Sequence, residues 1–228
     1  LGKGRYSRVY GTGNHAYKVV NFRHTPDSRC NLRELVFLHS MHHPNIIRPL
    51  RSQVVMVHGK FARVIHQLPA AECSMSVRGV YTMEEAAGLL SGVLKALRYC
   101  HANGIVHGDV KPDNILAMPD GSVVLADLSV TSFRCDDDCL VPSGSLYWRP
   151  PECLARELYT EPSDIWSLGV AALDCLHGCV YFRDKRGVRT ARDLRRMLHG
   201  VGGLVDESMW SAAGSRGDKA QCADLLRQ

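Results

Sequence analysis

The stretch "HGDVKPDNIL", His107–Leu116, decides how this chain is read. It gathers Asp109, Lys111 and Asn114 within six residues, and "SVVLAD" follows at 122–127, an apolar run that ends on Asp127. Acids, amides and a proline in one short loop make turns and caps in any protein. The pattern acquires meaning only from what the rest of the chain puts around it.

Just upstream, "TMEEAAGLLSGVLKALRYCHANG" at 82–104 predicts a helix. Thr82 and Glu85 form a capping box, Ala86, Leu89, Leu90, Val93 and Leu97 fall on one face, and Gly104 closes the end. Downstream, "DIWSLGVAALDCLHG" from Asp164 is apolar nearly all round, which predicts a buried helix. The beginning of the chain differs. "RVYGTGNHAYKVV" joins two β-rich runs through Gly-Thr-Gly-Asn, a hairpin signal. "NLRELVFLHSM" has helical spacing, with Leu32, Leu35 or Val36, and Leu38 or His39 on one side. Pro44 breaks it, and "SQVVMVHG" and "KFARVIHQL" read as further strands. The expectation is a small sheet-rich unit over 1–67 and a larger helical unit over 68–228, with the boundary near Gln67–Pro69.

The totals fit a globular protein: 228 residues, 45% hydrophobic and 22% charged. The 28 basic and 23 acidic residues leave a net +5, suited to anionic ligands but short of a nucleic-acid binder, so no nucleic-acid partner is expected. No apolar run has membrane-spanning length and no signal peptide opens the chain, so neither a membrane nor secretion is expected, and the expected location is intracellular, cytoplasmic or nuclear. Leu1 is not an initiator Met, so the sequence is expected to be a piece of a longer chain, truncated at both ends. The nine cysteines are odd in number, which argues against a disulfide framework. The Cys-x3-Cys pairs 135/139 and 175/179 lack the two-residue spacing usual for zinc and read as thiols.

Phosphoryl transfer from ATP requires a backbone cradle for the triphosphate, a cation on the phosphates, hard oxygen ligands for Mg²⁺, and a carboxylate at the attacking hydroxyl. Each part has a candidate. In "LGKGRYSRV", residues 1–9, Gly2 and Gly4 let backbone approach phosphate closely. Lys18 follows on the next strand, and Glu34 in the next helix is an acid that can pair with it. Asp109 is suited to accept the proton of a substrate hydroxyl, Lys111 to neutralise the transferred phosphate, and Asn114 to ligate Mg²⁺. Asp127, at a strand end, offers the second metal ligand. Each alone is a turn or a solvated charge, but the ordered set is specific.

These residues resemble a eukaryotic-type protein kinase catalytic domain, of the Ser/Thr group. The glycine-rich loop is similar at Gly2, Gly4 and Val9, Ala16-Tyr17-Lys18 resembles the strand-lysine motif, and Glu34 its helix partner. His107-Gly108-Asp109 with Lys111 and Asn114 resembles the catalytic loop, Asp127-Leu128-Ser129 the metal-binding triplet, and Pro150-Pro151-Glu152 the end of the activation segment. The resemblance implies a two-lobed α+β fold that binds ATP with Mg²⁺, or Mn²⁺, and acts on Ser or Thr of protein substrates. It implies ATP contacts from Leu1, Gly2, Lys3, Gly4, Val9, Ala16, Lys18 and Glu34, and a hinge near His66–Pro69 whose backbone meets the base. It implies catalysis by Asp109 and Lys111, metal binding by Asn114 and Asp127, and activation-segment roles for Ser145 and Glu152.

Three positions depart from the family pattern. Ser7 replaces the third loop glycine, Gly108 stands where many kinases have Arg, and Ser129 replaces the triplet glycine. With the compact stretch after Met41, the last two resemble kinases of large DNA viruses, herpesviruses in particular. Ser7 and Ser129 also keep open a pseudokinase that binds nucleotide and serves as a scaffold. A small-molecule phosphotransferase on the same fold is disfavoured by "SGSLYWRPPE", which resembles a peptide-docking segment. "RCDDDC" at 134–139 can mimic phosphate charge or be a solvated turn, and the seven basic residues between Arg183 and Arg196 can meet acidic substrates or nucleic acid, or form a solvated face.

Overall fold

The computed structural model describes residues 2–3, 7–21, 28–133, 145–154, 159–184 and 188–200. The chain opens with β1 (Gly2–Lys3), β2 (Ser7–Thr12) and β3 (His15–Asn21). Helix α1 (Ser28–Ser40) follows, then β4 (Arg51–Val57) and β5 (Lys60–Pro69). These strands form one antiparallel sheet in the order β1-β2-β3-β5-β4. The expected hairpin is present, with Gly13 and Asn14 turning between the paired residues Thr12 and His15. Alternation decides what faces the core: Ala16, Lys18 and Val20 of β3 are buried and their neighbours are not.

The buried side of α1 takes Leu38 and, in part, Leu35 from the expected alternatives, and leaves Val36 and His39 exposed. Glu34, Phe37 and Leu38 turn inward, whereas Val36 is 57% exposed. The buried Glu34 shares this inner face with Phe37 and Leu38.

The helical part begins with β6 (Cys73–Ser74), α2 (Met75–Arg78) and α3 (Met83–Ala102). The capping box forms as expected: the Glu85 N–H donates to Thr82 Oγ1 at 3.2 Å, and the Thr82 N–H donates to Glu85 Oε2 at 2.9 Å. Next come β7 (Ile105–Val106), a short 3-10 turn (Pro112–Asn114), β8 (Ile115–Ala117), β9 (Val123–Leu125) and β10 (Ser132–Phe133). Helices α4 (Pro151–Leu154), α5 (Glu161–His177), α6 (Tyr181–Asp184) and α7 (Ala191–Gly200) complete the described chain. The chain therefore has the two-lobed α+β arrangement, a sheet with one helix followed by a mainly helical part.

Helix α5 starts three residues before the expected Asp164, and it ends on Gly178 in the left-handed conformation at φ 65°. It is buried along nearly its whole length, packs on α3, and shares its core with Val93, Leu97 and Cys100, each 0% exposed. Four polar residues interrupt it, Ser163, Asp164, Ser167 and Asp174, all buried. Buried polar groups require partners, and these bind loops. The Ser167 hydroxyl donates to Trp148 O at 2.8 Å, while Asp174 accepts from Trp148 Nε1 and the Tyr181 N–H, each at 2.8 Å.

The segment between α1 and β4 couples the two parts. The Ile47 N–H donates to Leu125 O at 2.9 Å, the Leu125 N–H to Asn45 O at 2.8 Å, and Asn45 Nδ2 to Val123 O at 2.8 Å. Cys175 and Cys179 are free thiols, and burial pushes the Cys175 thiol up to about 12.

Candidate active site

The pairing of β8 with β9 explains why Asn114 and Asp127 meet. Ile115 pairs with Leu125, so Asn114 and Ala126 emerge at the same open end, where the Ala126 N–H donates to Asn114 O at 2.8 Å. Asp127 follows at once with φ 64°, a left-handed conformation uncommon for a non-glycine residue and tolerated best by Asp and Asn. Such conformations cost about 1–3 kcal/mol and cluster at functional sites.

Lys18 reaches this end from β3. Its Nζ donates to Glu34 Oε1 of α1 and to Asp127 Oδ1 at 2.7 Å. One buried ammonium thus joins the sheet, α1 and the Asp127 loop. Burial pulls the Lys18 ammonium down, but the Glu34 and Asp127 carboxylates outweigh it and hold it above the usual lysine range. Burial pushes Asp127 up, but the Lys18 charge and hydrogen bond, the Ser129 hydroxyl and His107 hold its carboxyl well below the usual range. Burial pushes the Glu34 carboxyl up, and the Lys18 charge offsets part of that. Desolvating three charges makes this an expensive way to gain stability. Its strongly perturbed groups mark a functional centre.

The residues of "HGDVKPDN" form a second cluster. Lys111 Nζ donates to Asp109 Oδ2 at 2.5 Å and to Ser145 Oγ at 2.7 Å, and the Ser145 N–H donates to Asp109 Oδ1 at 2.8 Å. Asn114 Nδ2 donates to Asp109 O at 2.8 Å and to Asp109 Oδ2 at 3.1 Å. With its amide nitrogen committed to Asp109, the Asn114 carbonyl oxygen remains to act as a ligand. Asn114 and Asp127 together offer the hard oxygen donors that Mg²⁺ prefers, so the donor set fits that ion.

The loop is held from below. Asp164, 0% exposed, accepts the His107 N–H at 2.9 Å and the Gly108 N–H at 3.0 Å, and it contacts His101 Nε2 at 2.9 Å. His107 Nε2–H donates to Ala126 O at 3.1 Å, which links the loop to the residue before Asp127. Gly108 has φ 83°, where a side chain would be strained. Sequence reasoning identified neither Asp164 nor His101 as part of the site. The available signal was an acid in an otherwise apolar helix.

The remaining expectations fall as follows. Val9 and Ala16 share a face with Lys18, because Val9 pairs with Lys18 and Ala16 lies two residues away. The backbones of Gly2 and Lys3 pair with β2, while Leu1, Gly4 and residues 134–139 lie outside the described residues. Glu152 accepts the Ser163 hydroxyl at 3.0 Å. The expected hinge, His66–Pro69, lies at the end of β5, where Leu68 and Pro69 pair with β3 alone. His66 and Gln67 lie within β5 and pair with both β3 and β4, so their backbone groups are committed to the sheet. Pro69 has no N–H, the Ala70 N–H donates to Asn14 O, and the Glu72 N–H donates to Ala117 O. The His66 side chain is 1% exposed beside Lys18, its cross-strand partner, with Nδ1 at 2.8 Å from Ser52 Oγ. Burial, then the Lys18 charge, pulls its imidazole down to about 4.

Comparison with known proteins agrees with this geometry. The family model described as protein kinase domain matches residues 1–227. Serine/threonine-protein kinase H1 of Homo sapiens is 30% identical over 220 residues, covering 89% of this chain and 51% of that protein. Serine/threonine-protein kinase PAK 1 of Mus musculus is 31% identical over 190 residues, covering 78% of this chain and 34% of that protein. The chain spans about half the length of the first of these relatives and a third of the second.

Proposed function

The chain belongs to the protein kinase family and resembles its serine/threonine members, and from that premise we propose that it transfers the γ-phosphate of Mg-ATP to Ser or Thr hydroxyls of protein substrates. The observation that carries this reading is Lys18, buried and bonded to both Glu34 and Asp127. An ammonium held in that position is available to the triphosphate, and Glu34 keeps it aimed when phosphate oxygens replace Asp127 as its partner. Val9 and Ala16 cover the adenine, and backbone groups of the His66–Pro69 stretch meet its edge. Asp127 and Asn114 would hold Mg²⁺, whose charge would offset that developing on the phosphates. Asp109 orients the acceptor hydroxyl and takes its proton, and Lys111 stabilises the transferred phosphate. Ser145 holds these two together through its hydroxyl and N–H.

A nucleotide-binding scaffold without transfer is the second reading. It draws on Ser129, whose hydroxyl adds to the hold on Asp127. The test is transfer of labelled γ-phosphate to a generic basic protein, with Asp109→Ala alongside. Label on Ser or Thr that vanishes in the variant supports the kinase. Mg-ATP-dependent thermal stabilisation without transfer supports the scaffold.

A further inference from the structure

Lys18, His66 and Ser52 stand in one row across the sheet. Lys18 of β3 pairs with His66 of β5, and His66 pairs with Ser52 of the edge strand β4. Residues directly opposite one another in neighbouring strands share a face, and it is the face on which α1 lies, as the Lys18–Glu34 bond shows. The helix is fastened at both ends of the row. Glu34 accepts from Lys18 at one end, and His39, in the last turn of α1, places Nε2 2.8 Å from Ser52 Oγ at the other. Ser52 Oγ is also 2.8 Å from Nδ1 of His66, which is 1% exposed in the middle of the row. The dimensions agree. Neighbouring strands are about 4.8 Å apart, so Lys18 and Ser52 are separated by about 10 Å. Glu34 and His39 are five residues apart, which is about 7.5 Å along the helix axis, and two side chains make up the difference. A helix laid across the strands therefore meets both ends of the row at once.

We propose that Ser52 and His39 are positioning residues for phosphoryl transfer: the His39–Ser52–His66 chain ties the last turn of α1 to the sheet, and that tie aims Glu34 at Lys18. This rests on the transfer reaction proposed above, in which Glu34 keeps Lys18 aimed when phosphate oxygens replace Asp127. One ion pair leaves a helix free to swing about its point of attachment, and a second attachment more than a turn away removes that freedom. The apolar hold on the same helix does not supply it. Phe37 packs on Phe133 with ring centroids 5.2 Å apart, and apolar burial is not directional. Ser52 suits the task because a hydroxyl has one proton and two lone pairs. It donates to one imidazole and accepts from the other, so the chain closes in either direction. Removing that hydroxyl breaks both bonds and leaves Nδ1 of the buried His66 unpaired.

Initial-rate kinetics on a Ser-containing peptide test the tie. Ser52→Ala should lower kcat/KM for Mg-ATP by about two- to tenfold, the weight of one hydrogen bond between uncharged groups, with KM for the peptide unchanged. His39→Ala should give a loss of the same size, and the double variant should lose no more than either single one, because both remove one tie. Ser52→Thr keeps the hydroxyl and should restore the rate. A merely structural role for Ser52 would instead lower Tm and leave kcat/KM intact well below it, and that result would overturn the proposal. So would full activity in His39→Ala, or losses that add in the double variant. If the unaltered chain transfers no phosphate, the failure belongs to the transfer reaction. Hydrogen exchange then decides the tie: the amides of residues 35–40 should exchange faster in Ser52→Ala than in the unaltered chain, and equal exchange would overturn it.

Discussion

Two glycines on α3 are expected to respond to the same substitution with opposite signs. A Cβ added at Gly88 meets nothing within 4 Å, whereas one added at Gly92 lies 3.1 Å from Asn45 Nδ2 and 3.2 Å from Val123 Cβ. Alanine in a helix interior is favoured over glycine by about 1 kcal/mol, and at Gly88 nothing opposes that gain. At Gly92 the same gain is set against overpacking, which costs about 1–3 kcal/mol. It is also set against strain on the Asn45–Val123 hydrogen bond, worth about 1 kcal/mol. The balance is about +1 kcal/mol for Gly88→Ala and a loss of about 1–3 kcal/mol for Gly92→Ala. For a chain of this size each kcal/mol moves Tm by about 2–4 °C, so the melting temperatures should separate by about 4–16 °C. Thermal unfolding followed by circular dichroism, checked by urea midpoints, reads the difference. Equal increases in both variants would refute the reasoning, because the junction of Asn45, Val123 and α3 would then have room to spare.

Three further outcomes follow from the site. Ser145→Ala removes the hydroxyl that accepts from Lys111 but keeps the N–H on Asp109. It should lower kcat by about tenfold, the value of one partly exposed hydrogen bond to a charged group, with KM for ATP unchanged; Ser145→Thr should restore the rate, and a normal kcat for the alanine variant would count against the Lys111 assignment. Asp164→Asn turns an amide toward donors that need an acceptor. Activity should be lost, and hydrogen exchange should show unprotected amides at His107 and Gly108, so retained protection would contradict the role given to Asp164. His66 titrates near 4 when folded against 6.5 as a free side chain. Between those values the unfolded chain binds a proton that the folded chain refuses, so this contribution is complete above pH 6.5 and is lost as pH falls toward 4. At about 1.4 kcal/mol per unit, stability should drop by about 2 kcal/mol between pH 6.5 and 5. Urea midpoints of His66→Leu should be flatter over that range, and parallel curves would refute the assignment.

How much could be read in advance depended on how local the cause was. The capping box at Thr82 and Glu85 and the apolar stripe of α3 are fixed by neighbours three and four residues apart, so the sequence displays them. The order of Lys18, Glu34, Asp109, Asn114 and Asp127 was visible because each residue type suits one chemical task. The inner face of α1 was read in part: Leu38 is buried, but the buried Glu34 was not foreseen as part of that face. Glu34 is buried beside Phe37 and Leu38 where it reaches Lys18, while Val36 is in solvent. The expected hinge falls on the last residues of β5, whose end is set by its partners, here Leu50 and the Gly13–Asn14 turn, and not by its own composition. Asp164 was missed because its partners His101, His107 and Gly108 lie 56 or more residues away in the chain.

That distant support bears on regulation. In many kinases an Arg occupies the position of Gly108 and grips a phosphate on the activation segment. Here the position contributes a backbone N–H to Asp164 and takes φ 83°, which glycine adopts without strain. The loop is held from α5 through Asp164 and from the Asp127 side through His107, and Ser145 binds Asp109 by its own N–H. None of these ties requires a phosphate. The chain should accordingly keep its activity after phosphatase treatment, measured as γ-phosphate transfer immediately after the phosphatase is removed. Loss of transfer on that treatment, with recovery on rephosphorylation between Asp127 and Glu152, would show that a phosphate performs the work assigned here to Asp164 and Ser145.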